Sequence, residues 1–286
     1  KDITLNQLTF EEFLLFQRAQ DPLKDLDDVS EDVSKIIKDV KKNGDSALLK
    51  YTEKFDKLKI SSVEELSFDK KDMESAFNSI DEEIKLSLGH LKERIHSFHE
   101  SVPQQDWESH DEIFEKFGQI SRPIKRVGLY APGGNAIYPS SVLMTSVLAK
   151  MSGVKEILLS FPPSHKELLE LMLASAYIGE VDEAVCLGGA QSIAAMTYGT
   201  ESIKKVDKIF GPGNHYVAEA KRQVFGIVGI DGLTGPSEVM IIADESADNK
   251  MLALDLIAQA EHGPNSTCIL VLINSNKNKE VQKEIN

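Results

Sequence analysis

Apolar residues in the first part of the chain recur at helical spacing. Val33, Ile36, Ile37 and Val40 fall three and four apart, which puts them on one helix face, and Gly44 supplies a stop. Asp45 suits the start of a second helix. Ala47, Leu48, Tyr51 and Phe55 then open a new apolar face. A third helical region is expected from Asp69 to about Glu100, with a broad stripe made by Ile80, Ile84, Leu86, Leu88, Leu91 and Ile95. From Ser101 to Gln119 the chain is polar, spotted with aromatics, and shows no period.

The pattern changes at Ile124, where short apolar runs begin to alternate with helical ones. Strands are expected at Val127–Tyr130, Glu156–Phe161, Ala184–Leu187, Val206–Phe210 and Ile227–Ile230. The helices between them are Ser140–Lys150, Lys166–Ile178, Gly189–Tyr198 and one ending near Phe225. Strand, short glycine-rich loop, then helix, repeated, is the mark of a parallel α/β sheet. Two more strands, Glu238–Ala243 and Thr267–Ile273, flank a helix from about Asp248 to Glu261, and Ser275–Asn286 opens another helix. Val239-Met-Ile-Ile-Ala243 is apolar throughout, as expected of a strand covered on both faces. The expected division is a discontinuous first lobe, residues 1–126 with 236–286, and a second α/β lobe, residues 127–235.

Composition narrows the function. The net charge of −14 argues against generic nucleic-acid binding, which needs a basic surface. Small anions remain possible ligands, because a few local donors hold a phosphate on an acidic protein. No apolar run is long enough to cross a membrane, and the first residues lack the shape of a signal peptide. The chain starts at Lys1 without a methionine, so a trimmed first residue is expected. Cys186 and Cys268 lie in apolar runs and are read as reduced core thiols, which makes the cytoplasm the expected compartment. His96, His99 and His110 sit in charged stretches and are read as solvated.

Candidate chemistry gathers in loops. Ala131-Pro-Gly-Gly-Asn135, Gly188-Gly-Ala-Gln191 and Gly211-Pro-Gly-Asn214 all fall at expected carboxyl ends of parallel strands, where free backbone N–H groups bind ligands. None is a P-loop, and Tyr216 replaces the third glycine of a dinucleotide fingerprint. Gln259 and His262 are three apart and share a helix face, a spacing open both to a metal pair and to a histidine at a helix end. In Asp231-Gly-Leu-Thr-Gly-Pro-Ser-Glu238 a turn presents Ser237 and Glu238, but the sequence nominates no catalytic triad and contains no Gly-x-Ser-x-Gly elbow.

These blocks together resemble the histidinol dehydrogenase family. The resemblance is carried by Gly44-Asp45-x-Ala47 with Tyr51-Thr52 and Phe55-Asp56, by Val127-Gly-Leu-Tyr-Ala-Pro-Gly-Gly-Asn135, and by Tyr138-Pro-Ser-Ser-Val142. It continues through Gly188-Gly-Ala-Gln-Ser-Ile-Ala-Ala195, Tyr198-Gly-Thr-Glu201 and Gly211-Pro-Gly-Asn-His-Tyr-Val217 with Ala220-Lys221. Asp231, Gly235-Pro-Ser-Glu238 and Gln259-Ala-Glu-His262 complete it. It implies two incomplete Rossmann-like lobes and zinc-dependent, NAD-linked oxidation of L-histidinol via L-histidinal to L-histidine, in a homodimer with its active site near the subunit interface. It further implies that Tyr130, Gln191 and Asn214 contact NAD and that Ser237, Gln259 and His262 contact substrate, Gln259 and His262 also binding zinc.

Two departures from the family pattern stand out. Thr234 occupies a place where alanine is usual. No match to the family's Glu–His acid–base pair, to an Asp zinc ligand or to a further His zinc ligand occurs before Asn286. On that reading no catalytic residue is assigned in this chain, which is expected to be a catalytically incomplete fragment with little or no turnover. The alternative is a non-catalytic nucleotide-binding or association module that keeps the fold.

Overall fold

Five parallel strands joined by helices organise the middle of the chain. The computed structural model describes residues 8–9, 11–13, 24–101, 106–110, 113, 116–133, 137–233, 238–261, 266–273 and 276–286. The parallel strands are β4 (Arg126–Tyr130), β5 (Glu156–Ser160), β6 (Glu183–Val185), β7 (Lys208–Phe210) and β8 (Gly229–Ile230). The short β1 (Ser67–Phe68) adds an antiparallel edge, and the sheet order is β1-β6-β5-β4-β7-β8. The crossover helices are α4 (Pro139–Met151), α5 (Lys166–Ile178), α6 (Gly189–Tyr198) and α7 (His215–Val224). From β4 the sheet grows outward through β5 to β6 on one side and through β7 to β8 on the other. Because such crossovers are right-handed, helices then cover both faces. All five residues of β4 are buried, as that arrangement requires.

Helices from the first hundred residues complete both layers. α1 (Lys24–Tyr51) carries Val33, Ile36, Ile37, Val40 and Leu48 into the same core as Val127, Leu129, Ile209 and Val217. Gly44 breaks this helix into two stretches joined at a kink, with φ 51° and ψ −130°, where a Cβ would run into the Glu201 carboxylate. Asp45 follows the break with its side chain turned to Ser202. Its carboxylate accepts from the Ser202 hydroxyl at 2.5 Å, while its amide donates to Glu201 at 2.8 Å.

The expected third helix is two helices, α2 (Lys70–Ser79) and α3 (Glu82–Glu100), broken where Ile80 adopts extended backbone. Asp69 caps α2 by accepting from Lys71 and Asp72 amides. On α3, Leu88 and Ile95 are buried while Ile84 and Leu86 are exposed, which explains the ragged stripe. The stretch without a period forms a small hairpin, β2 (Trp107–Ser109) with β3 (Phe117–Gln119), its Trp107 and Phe117 rings edge to face.

Residues Leu26–Leu233 make one compact unit, and Thr234–Asn286 with Lys1–Asp25 make the other. Residues 26–126 share the larger unit with the central sheet, because the apolar stripe of α1 is spent on its core. In the smaller unit β9 (Glu238–Ala243) and β10 (Thr267–Leu272) pair in parallel across α8 (Asn249–Ala260), a βαβ crossover. α9 (Asn278–Ile285) adds Val281 to the cluster formed by Ala243, Leu252, Ala253 and Leu256. The architecture is α/β with mostly parallel sheet and helices ahead of it. Among the described residues no helix is long and apolar enough to cross a membrane.

Candidate functional site

The two ends of the central sheet are built differently. At the amino end Arg126, 5% exposed, pairs with Glu156 at 2.9 Å and Glu183 at 2.8 Å, closing that edge with charge. At the carboxyl end the glycine-bearing loops lie side by side in the order of their strands. Pro162, which follows β5, packs between two of them. A Cβ at Gly188 would lie 2.9 Å from its ring, and one at Gly133 would lie 3.2 Å from it. β4 and β7 are neighbours whose chains leave in opposite directions, the switch point where open α/β sheets bind ligands.

Gly211 makes that junction possible. Its φ is +112°, and a Cβ there would sit 2.0 Å from the Tyr130 carbonyl oxygen. The loop is locked by an ion pair. The Gly211 amide donates to Asp231 Oδ2 at 2.7 Å, and the Gly211 carbonyl accepts from Lys221 Nζ at 2.6 Å. Lys221 Nζ also meets Asp231 Oδ1 at 2.6 Å. Lys221 is 3% exposed, while Asp231 opens to solvent. Lys221 and Asp231 belong to matched sequence blocks, yet ten residues separate them and no local pattern shows that they meet over Gly211.

Three expected cofactor contacts lie along this edge. Tyr130 ends β4. Its buried hydroxyl accepts from the Gly189 amide at 3.1 Å, tying the first loop to the start of α6. Burial pushes that hydroxyl up to about 12, so it stays protonated. Gln191 lies in the first turn of α6 and is almost completely buried. Asn214 is exposed and caps α7, its Oδ1 accepting from the Val217 amide at 3.1 Å.

Asp56 lies outside the sheet. It closes the wide turn Thr52–Asp56 that prolongs α1, after which Lys57 turns left-handed at φ 58°. Among the described residues its buried Oδ2 has no hydrogen-bond partner. Burial pushes its carboxyl up to about 6. In the sequence Asp56 stands in the Phe55-Asp56 block with no role marked by its neighbours.

Gln259 sits half-buried one residue before the end of α8. Ser237 and His262 lie outside the described residues, as do Gly134, Asn135 and the Thr234–Pro236 stretch. Among the described residues no group of three or more His, Cys, Asp or Glu is placed to hold a metal ion. Cys186 is buried just beyond β6, its thiol pushed up to about 12 by burial, whereas Cys268 on β10 is only half-buried. Both are free thiols. His96 and His110 are exposed as expected, but His99 is half-buried with its ring against Phe98.

The family model for histidinol dehydrogenase matches residues 19–286. Histidinol dehydrogenase of Neisseria gonorrhoeae is 43% identical over 258 residues, 90% of this chain and 59% of that protein. The enzyme of Pseudomonas syringae pv. syringae is 44% identical over 261 residues, 90% of this chain and 58% of its own length. The crystal structure of histidinol dehydrogenase from Elizabethkingia anophelis superposes with a TM-score of 0.85 at 32% identity, covering 99% of this chain and 64% of that one. The chain thus spans about three fifths of the length of the curated relatives it matches. With its motifs in order along a shared fold, the chain belongs to the histidinol dehydrogenase family.

Proposed function

We propose that this protein serves the zinc-dependent, NAD-linked oxidation of L-histidinol via L-histidinal to L-histidine, the last two steps of histidine biosynthesis. The observation that carries the reading is the carboxyl edge of the central sheet. There Tyr130, the Gly189 amide and the Gly211 loop meet at the switch point between β4 and β7. Such an edge, with two helix N-termini beside it, suits a dinucleotide pyrophosphate. Gly211 fits that use, because its missing side chain lets backbone run close to backbone. Tyr130, Gln191 and Asn214 are assigned to NAD, which takes up hydride when bound.

Gln259 and His262 are assigned to zinc, and Ser237 with both of them to substrate. The metal, when present, would orient and polarise the alcohol. The described residues do not by themselves assemble a metal centre, so no step is routed through one. No acid–base residue is assigned among residues 1–286. The same reading makes the protein a cytoplasmic homodimer.

The test has two arms. Titration calorimetry of the 286-residue chain with NAD should show binding that Asn214→Ala weakens by about tenfold. The protein extended to its relatives' length should form NADH from L-histidinol and lose that activity to a zinc chelator. NAD binding without turnover in the extended protein would overturn the enzymatic reading and leave a nucleotide-binding module.

A further inference from the structure

Among the described residues two buried cations form ion pairs, and they stand at opposite ends of the central sheet. Arg126, at the amino end, ties β4 to the Glu156 and Glu183 side chains on β5 and β6. Lys221 and Asp231, at the carboxyl end, also hold backbone. Asp231 accepts from the Gly211 amide at 2.7 Å and from the Gly232 amide at 2.9 Å, and Lys221 donates to the Gly211 carbonyl at 2.6 Å. Gly211 follows β7 directly, Asp231 follows β8 directly, and Lys221 lies about two turns into α7. The peptide groups of one glycine thus join three elements.

Burying an ammonium costs free energy that a neutral donor at the same carbonyl would avoid. What the pair secures is the orientation of Gly211. A glycine at φ +112° has no side chain to hold it in place, yet here both its N–H and its C=O are fixed. Asn214 lies between the tie points, three residues after Gly211 and seven before Lys221, and caps α7. We propose that Lys221 and Asp231 are positioning residues, which hold Asn214 and the start of α7 in place for the dinucleotide before it binds. This rests on the dinucleotide reading of the Tyr130, Gln191 and Asn214 edge. Neither side chain has to reach the ligand, because the Gly211 loop carries the effect. A loop ordered beforehand is spared the ordering cost that a loose one meets on binding.

Arg126→Met supplies a matched control, since it breaks the other buried cation's pairs at the far end of the same sheet. Thermal melts and calorimetric titration with NAD are run on the 286-residue chain, on Lys221→Met and on Arg126→Met. Both variants should melt several degrees below wild type. Only Lys221→Met should weaken NAD, by about tenfold. A purely structural role would lower the melting point and leave the affinity of the folded chain alone, as in the control. Wild type that binds no NAD overturns the dinucleotide reading, and the positioning role with it. Wild type that binds NAD overturns the positioning role alone if folded Lys221→Met keeps its affinity, or if both variants lose affinity equally. Should Lys221→Met not fold, hydrogen exchange of wild type decides. NAD should slow the amides of residues 212–216, and exchange there unchanged by bound NAD overturns the proposal.

Discussion

β4 and β9 read alike in sequence and behave differently in the fold. Every residue of β4 is buried, because α4 and α5 lie on one side of the central sheet and α1, α6 and α7 on the other. β9 alternates. Ile241 and Ala243 face the cluster beneath α8 and α9, as do Leu270 and Leu272 on β10. Met240, Ile242, Val271 and Ile273 point the other way and are 48%, 64%, 38% and 50% exposed. An unbroken apolar run thus marks a strand able to be covered twice, and the helices available decide how often it is. Among the described residues the smaller unit has one layer of helix on two strands and a correspondingly small core. The expectation that Val239–Ala243 is covered on both faces holds on one face only.

The largest effect expected from this contrast is in matched truncations. Leu129→Ala on β4, where the side chain is 1% exposed, should destabilise the larger unit by about 3 kcal/mol or more. Ile242→Ala on β9 should change stability by no more than about 0.5 kcal/mol. Urea unfolding followed by circular dichroism measures both, and equal losses would break the comparison. Close behind comes the lock on Gly211. Asp231→Ala removes the carboxylate partner of the buried Lys221 ammonium and should cost about 2 kcal/mol. It should also weaken NAD binding by releasing the loop, whereas a lock with no bearing on the ligand edge would leave affinity unchanged.

A smaller effect separates the faces of β9. Ile242→Lys should lower the fluorescence of a bound hydrophobic dye such as ANS, with little change in the unfolding midpoint, because the side chain is already in water. Ile241→Lys, one residue earlier and facing the cluster, should unfold the smaller unit instead. Similar outcomes for the two would contradict the alternation.

Much of this was legible because the signals were local. Glycines after apolar runs placed the loops at strand ends, and α5 from Lys166 to Ile178 has the bounds its periodicity predicts. Other features depend on partners distant in sequence. Gly44 breaks the helix where it reads as a stop, but the Glu201 carboxylate packed against it lies far along the chain. Lys221 and Asp231 converge on Gly211 through the fold. β1 is too short to carry a period, and the hairpin of Trp107 and Phe117 buries too little apolar surface for alternation to show. Asp56 is one charged residue at a helix end by sequence. Only the burial of its Oδ2 sets it apart.

The smallest expected effect is the stability that Asp56 withholds. Its carboxyl titrates near 6 in the folded chain against an ordinary value of 3.8, so the folded state holds the proton more tightly than the unfolded one. Stability then falls as pH rises from about 4 to about 6 and stays at the lower level above that. Asp56→Asn removes the penalty. Since the group is partly open to solvent, the gain at neutral pH should be only about 1 kcal/mol. It should vanish below pH about 4, where the wild-type carboxyl is neutral in both states. Thermal melts of both chains across that range check the sign.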